Sequence, residues 1–221
     1  MALYKALVTQ FVYLHGFASS PRSTKAIFFR ERLARLGHVV SVLDLEEGDF
    51  EGLTITRQLA VVRREIARTT GDVALIGSSM GGYVAALAAN AEPRIRRLVL
   101  MAPAIDMQAQ WLVRYGADKL ARWKAKGAAP TFHHAHNEER LIGYGLYEDL
   151  GRHDPAPPVR IPALAFMGRQ DDTVAPAAVE RWAAQNPSVR LRWLDSGHEL
   201  VDQLETIWLE SAAFLGIDAA D

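Results

Sequence analysis

The chain has 221 residues, 25 Lys plus Arg against 26 Asp plus Glu, 49% apolar residues and no cysteine. The missing thiols exclude disulfide scaffolds, Cys-ligated zinc, iron–sulfur clusters and thiol nucleophiles, and a formal net charge of −1 supplies no long-range field for nucleic acid or an anionic membrane. The expectation is a small-molecule partner, and the length fits one large domain as well as two small ones; the order of the motifs along a single sheet decides for one, 1–221, large enough to support a concave site.

The apolar stretch from Ala6 to Phe17 is interrupted by Thr9, Gln10 and His15, too soon for a membrane span, and no small-residue cleavage site follows it. It reads as the start of a cytoplasmic protein without a signal peptide. Phe11 to His15 predicts the first strand, and Ser23 to Leu36 has helical period. Val39 to Leu45 is a second strand, Thr54 to Thr69 a second helix, and Val73 to Gly77 a third strand. The small-residue run Met80 to Ala91 is a helix, followed by a strand at Arg97 to Met101. The late part repeats the pattern, with strands at Ala163 to Met167 and Val189 to Leu194 and helices at Pro176 to Gln185 and Val201 to Phe214. Near-continuous apolar strands alternating with helices predict a three-layer α/β domain around about six mostly parallel strands.

Residues 106–160 break the alternation, with about twice the sequence a crossover needs. An amphipathic segment carries Met107, Trp111, Tyr115, Leu120 and Trp123, then comes a Gly-, His- and Tyr-rich passage, and a Pro-rich stretch closes the insertion. An insertion of this length predicts a helical cap or lid. Trp111, Tyr115 and Tyr144 are its candidate substrate-binding residues. His133, His134 and His136 read as a solvated loop rather than a metal site, Arg94, Arg96 and Arg97 as a solvated turn, and Arg22 with Lys25 as an exposed helix start, ahead of the alternative that they favour an anionic leaving group such as a coenzyme A phosphate.

The chemistry concentrates where the third strand runs into Gly77-Ser78-Ser79-Met80-Gly81. G-x-S-x-G arises by chance in about a few per cent of chains of this length, so its strand–turn–helix context carries the weight. A nucleophile on a strained turn stands clear of the sheet only if its neighbours lack side chains that would strike adjacent backbone. Ser79 is then the candidate nucleophile. A serine hydroxyl needs a base, an orienting acid and oxyanion donors. His198, after Gly197 and the last strand, is the candidate base, and Asp171, after the penultimate strand, fits the acid best. Asp172 and Asp195 remain alternatives for that role. The backbone N–H groups of Met80 and of Phe17, in His15-Gly16-Phe17, are the candidate oxyanion donors.

In the order His15-Gly16-Phe17, Gly77 to Gly81, Gly168-x-x-Asp171-x-x-Val174 and Gly197-His198, the sequence resembles the α/β-hydrolases. Its segment Tyr13 to Ala26 looks like the N-terminal part of small bacterial esterases of the YqiA type. The resemblance implies a serine hydrolase acting on carboxylic esters or acyl thioesters without metal or organic cofactor, with an acyl-CoA thioesterase or amidase on the same residues as neighbouring readings. Two other classes compete. One is a hydrolase-fold binding or sensor protein with little turnover. The other is a dehydrogenase, suggested by Gly77, Gly81 and Gly82 after a strand and by Tyr115-x-x-x-Lys119, but the acid expected about 20 residues beyond the glycines is missing.

Overall fold

The computed structural model describes residues 10–218, so the start of the apolar stretch at Ala6 lies outside the described residues. Six strands, β1 (Gln10–Leu14), β2 (Val40–Leu43), β3 (Val73–Ser78), β4 (Ile95–Met101), β7 (Ala163–Gly168) and β8 (Val189–Leu194), form one sheet in the order β2-β1-β3-β4-β7-β8. Every pairing within it is parallel. All six residues of β3 and of β7 are buried, as central strands covered on both faces must be.

Helices α1 (Thr24–Arg35), α2 (Ile55–Arg68), α3 (Met80–Ala91), α6 (Pro176–Gln185) and α7 (Leu204–Leu215) connect or flank these strands. Their starts are written locally. Ser23 Oγ and Thr54 Oγ accept the Ala26 and Arg57 N–H groups at 3.4 and 3.1 Å, and Pro176 opens α6, where its missing N–H costs nothing. The predicted helix from Val201 instead opens with a 3₁₀ turn, Val201–Gln203, after Leu200 in the left-handed region. The arginines expected in a solvated turn are tied down: Arg94 donates to Thr69 O at 2.8 Å, Arg97 to Phe214 O at 3.0 Å, and Arg96 pairs with Asp72.

Between β4 and β7 the chain forms α4 (Met107–Lys126), a hairpin of β5 (Ala128–His133) and β6 (Glu138–Gly143), and α5 (Gly145–Leu150). The helix is kinked at Gly116, whose φ of 74° and ψ of 157° interrupt it. The histidine-rich passage is therefore partly a strand rather than a solvated loop. Pro130 hides this in the sequence, yet a two-stranded ribbon has only edges and tolerates it. His133 is fully buried, its Nε2 lying 3.0 and 3.1 Å from the two Glu46 carboxylate oxygens and its ring 4.7 Å from Phe50. Burial, helped by nearby Asp44, pushes Glu46 up to about 7, while burial pushes His133 down.

Backbone and buried polar contacts fasten this segment to the sheet layer. The buried Asp149 carboxylate accepts the Thr56 N–H at 2.7 Å and the Thr56 hydroxyl at 2.8 Å, at the positive end of α2. Gly143 N–H donates to Glu51 O at 2.9 Å, and Tyr83 Oη to Asp154 O at 2.9 Å. Among the described residues, no helix is long and apolar enough to cross a membrane.

Candidate active site

The chain order reverses between β1 and β3, the place where open α/β sheets form a crevice at the carboxyl ends of their strands, and the loops after β7 and β8 reach the same edge of the sheet. Ser79 occupies the turn from β3 into α3 with φ 53° and ψ −118°. For a residue with a side chain this backbone costs about 1–3 kcal/mol and persists only where its surroundings enforce it. They do so from both sides. Ser79 N–H donates to Met101 O at 2.8 Å, and its carbonyl accepts from Gly82, Tyr83 and Ala104 at 2.9, 3.1 and 3.0 Å. The flanking glycines are required by space: a Cβ on Gly77 would lie 2.5 Å from Gly81 O, and one on Gly81 would lie 2.3 Å from Leu14 O.

His198 reaches this turn from the loop after β8. Its Nε2 is 3.1 Å from Ser79 Oγ and its Nδ1 is 2.7 Å from Asp171 Oδ2. Asp171, whose side chain is fully buried, uses its other oxygen to accept the Thr173 and Val174 N–H groups, both at 2.8 Å. That grip leaves one oxygen for the imidazole, so Nδ1 carries the proton and Nε2 is free to accept from the hydroxyl. The two loops also interlock. Gln170 N–H donates to Ser196 O at 3.1 Å, and a Cβ on Gly168 would sit 2.4 Å from Ser196 O and Gly197 O. Of the alternative acids, exposed Asp172 accepts from Thr173 Oγ1, and exposed Asp195 faces Gln170; neither is bonded to His198.

The N–H groups of Phe17 and Met80 have no hydrogen-bond partner among the described residues. Buried His15 shapes the first of these turns: Leu45 N–H donates to its Nε2 at 3.2 Å, so its Nδ1–H donates to Gly16 O at 2.8 Å, and burial pushes its pKa down. Lys25, expected at an exposed helix start, is buried instead. Its ammonium donates to Glu199 O at 2.7 Å and to Glu199 Oε2 at 3.2 Å, fixing the residue beside His198. Desolvation pushes the Glu199 carboxyl up, but Lys25 outweighs it and holds the group below the usual range. No local sequence pattern marks this contact, since its partners are 174 positions apart.

Phe17 separates two spaces. On one side, a groove of about 400 Å³ has Phe17, Trp111, Tyr115 and Trp123 in its walls together with the cations Lys119, Arg122 and Lys126. On the other, a cavity of about 590 Å³ contains Ser79 and His198. Trp111 and Tyr115 thus face a groove, whereas Tyr144 does not: its ring packs on Trp123 and Tyr147 at 5.3 and 5.5 Å. The Tyr115 and Lys119 pair is a cation–π contact, with the ammonium 4.8 Å from the ring centroid, across the Gly116 kink. Among the described residues no group of three His, Asp or Glu side chains is gathered as a metal site requires.

Residues 10–148 match the model of the uncharacterised protein family UPF0227, well over half of the chain. The chain belongs to this family. No curated protein sequence matches this UPF0227 member. Among solved structures, it is similar to the alpha/beta hydrolase domain-containing protein 10 from mouse, at 20% identity and a TM-score of 0.80, covering 96% of this chain and 91% of that one. Est1E from Butyrivibrio proteoclasticus with bound ferulic acid is 18% identical with a TM-score of 0.71, covering 92% and 89%. The Pyrococcus furiosus esterase Pf2001 is 20% identical with a TM-score of 0.63, covering 94% and 82%. This UPF0227 protein has the α/β-hydrolase fold.

Proposed function

We propose that the protein is a serine hydrolase that cleaves a small carboxylic ester or acyl thioester through an acyl-enzyme intermediate. The observation that carries this reading is the unbroken chain from Ser79 Oγ to His198 Nε2 and from His198 Nδ1 to Asp171, built on a strained, sterically enforced turn.

As Ser79 Oγ attacks the acyl carbon, its proton passes to His198 Nε2, and the negative charge collects on the former carbonyl oxygen. The N–H groups of Phe17 and Met80 are the available donors for that oxygen. Collapse of the tetrahedral species breaks the bond to the leaving group, which takes the proton from His198. A water then gives its proton to His198 and attacks the acyl carbon, and the returning proton releases Ser79 and the acid. Asp171 holds the imidazole tautomer and stabilises the imidazolium. We assign residues 106–160 as the lid, because Trp111, Tyr115 and Trp123 wall an apolar groove next to Phe17 that suits an acyl chain or ring.

The test is Ser79→Ala assayed with aryl esters and acyl thioesters of graded chain length, alongside labelling by a fluorophosphonate. The expected outcome is a loss of about 10⁴-fold or more in kcat with circular dichroism unchanged, and labelling of the native protein at Ser79. Native turnover in Ser79→Ala overturns the reading. Failure of the native protein to label or turn over favours a binding role instead.

A further inference from the structure

The two spaces beside Phe17 differ in chemistry as well as position. The groove under α4 has aromatic and aliphatic walls with the exposed side chains of Lys119, Arg122 and Lys126 around them, whereas the cavity holding Ser79 and His198 is walled by Tyr13, Ser20, Arg22, Ser23, Lys25 and Glu199. The hydrolytic chemistry uses none of these six. Lys25 is already paired with Glu199, so its charge is spent within the wall. Arg22 is not: it is exposed, and its hydrogen bond among the described residues runs from its backbone N–H to Ser20 Oγ, leaving the guanidinium open to the cavity.

Two further features point to an anion. The twelve-residue helix α1 starts in this wall with no acidic side chain in its first turn. Ser23 Oγ caps only the Ala26 N–H, so the N–H groups of Thr24 and Lys25 are left at the positive end of the helix. Independently, Tyr13 Oη is fully buried with no hydrogen-bond partner. The groups acting on that hydroxyl, Glu199, Ser23 and Ser78, line the same cavity. Burial pushes the phenol pKa up, and the opposing influence of Ser23 and Ser78 does not reverse it, so the hydroxyl stays a neutral donor.

We propose that this cavity is the leaving-group subsite and that it takes an anionic leaving group, an alcohol or thiol bearing a phosphate or a carboxylate, with Arg22, the start of α1 and Tyr13 as its recognition groups. The assignment of sides follows from proton transfer: His198 must protonate the departing oxygen or sulfur, and His198 lines this cavity and not the apolar groove. The substrate class is then an apolar acyl group joined to a small anionic alcohol or thiol. This rests on the serine-hydrolase reading.

The test compares hexanoyl esters of ethylene glycol, 2-hydroxyethyl phosphate and glycolate, which share an acyl group and differ in leaving-group charge. In the native protein kcat/KM for at least one anionic ester is expected to exceed that for the neutral ester by about tenfold, the scale of one charge-assisted hydrogen bond. The phosphate and glycolate arms tell which anion is preferred. In Arg22→Gln the anionic-to-neutral ratio is expected to fall to about one, in Tyr13→Phe to fall in part, and in the native protein to shrink as salt rises. A native ratio near one, or a high ratio that survives Arg22→Gln, overturns the subsite. Ser79→Ala on the neutral ester keeps the readings apart: Ser79-dependent hydrolysis without anion preference removes the subsite alone, whereas Ser79-independent hydrolysis removes the serine-hydrolase reading beneath it.

Discussion

Replacing Asp171 by Asn tests how the proposed base is held. The two carboxylate oxygens have separate tasks: Oδ1 accepts two backbone N–H groups at 2.8 Å, and Oδ2 faces His198 Nδ1 at 2.7 Å. An Asn in the same rotamer keeps its carbonyl oxygen toward Thr173 and Val174, because the alternative would aim an NH₂ at two donors. Its amide NH₂ must then face His198 Nδ1, which becomes the acceptor, and the imidazole proton moves to Nε2 toward Ser79. The base is lost while the loop stays in place. Kinetically, the wrong tautomer costs about 10⁴ in kcat, or roughly 5 kcal/mol of transition-state stabilisation. Stability should change much less, by about 1 kcal/mol, since the two backbone bonds survive with a neutral acceptor. Steady-state hydrolysis of an aryl butyrate together with urea unfolding separates the two effects. Asp172→Asn and Asp195→Asn, whose side chains are exposed and not bonded to His198, are expected to stay within about threefold of the native rate. Retention of more than a tenth of native kcat by Asp171→Asn, or an equal loss in Asp195→Asn, refutes the reasoning.

Two other perturbations probe what surrounds the site. Gly81→Ala places a Cβ 2.3 Å from Leu14 O and 2.5 Å from His15 O, both backbone atoms that cannot swing away; urea unfolding should show a loss of about 3 kcal/mol, and a change under about 0.5 kcal/mol contradicts the steric account. Glu46, buried against His133 beside Asp44 and within the field of Arg140 and His136, has its pKa raised from 4.5 to about 7. A raised carboxylate contributes stability while protonated, fully present below pH 4.5 and lost as pH rises through 7. The lowered His133 pKa acts oppositely, withdrawing stability as pH falls below the ordinary histidine range, so the Glu46 contribution is isolated by comparing native protein with Glu46→Gln. The stability difference between them should move against the native protein by about 1–3 kcal/mol across that window, and a pH-independent difference in urea titrations rules the mechanism out.

The sheet was legible because each buried strand must be apolar on both faces whatever its neighbours are, and the regular helices because their caps are local: Ser23, Thr54 and Pro176 act within one turn. Gly77 and Gly81 were legible for a similar reason, since a tight turn restricts its own residues. The strand holding His133 was not, because a polar residue and Pro130 carry no apolar alternation, and burial of His133 depends on Glu46, 87 positions away. Lys25 was misread on the same ground, its partner Glu199 being remote.

By itself, then, the sequence determined the six strands of the main sheet, the helices between them and the residue types at the strand ends, because those follow from interactions within a few residues. The order of strands about β1, the 2.7 and 3.1 Å approaches of His198 to Asp171 and Ser79, and the division of the crevice by Phe17 were decided only by the tertiary structure. Such contacts join segments whose relative position is fixed by packing of the whole sheet, and no local propensity encodes them.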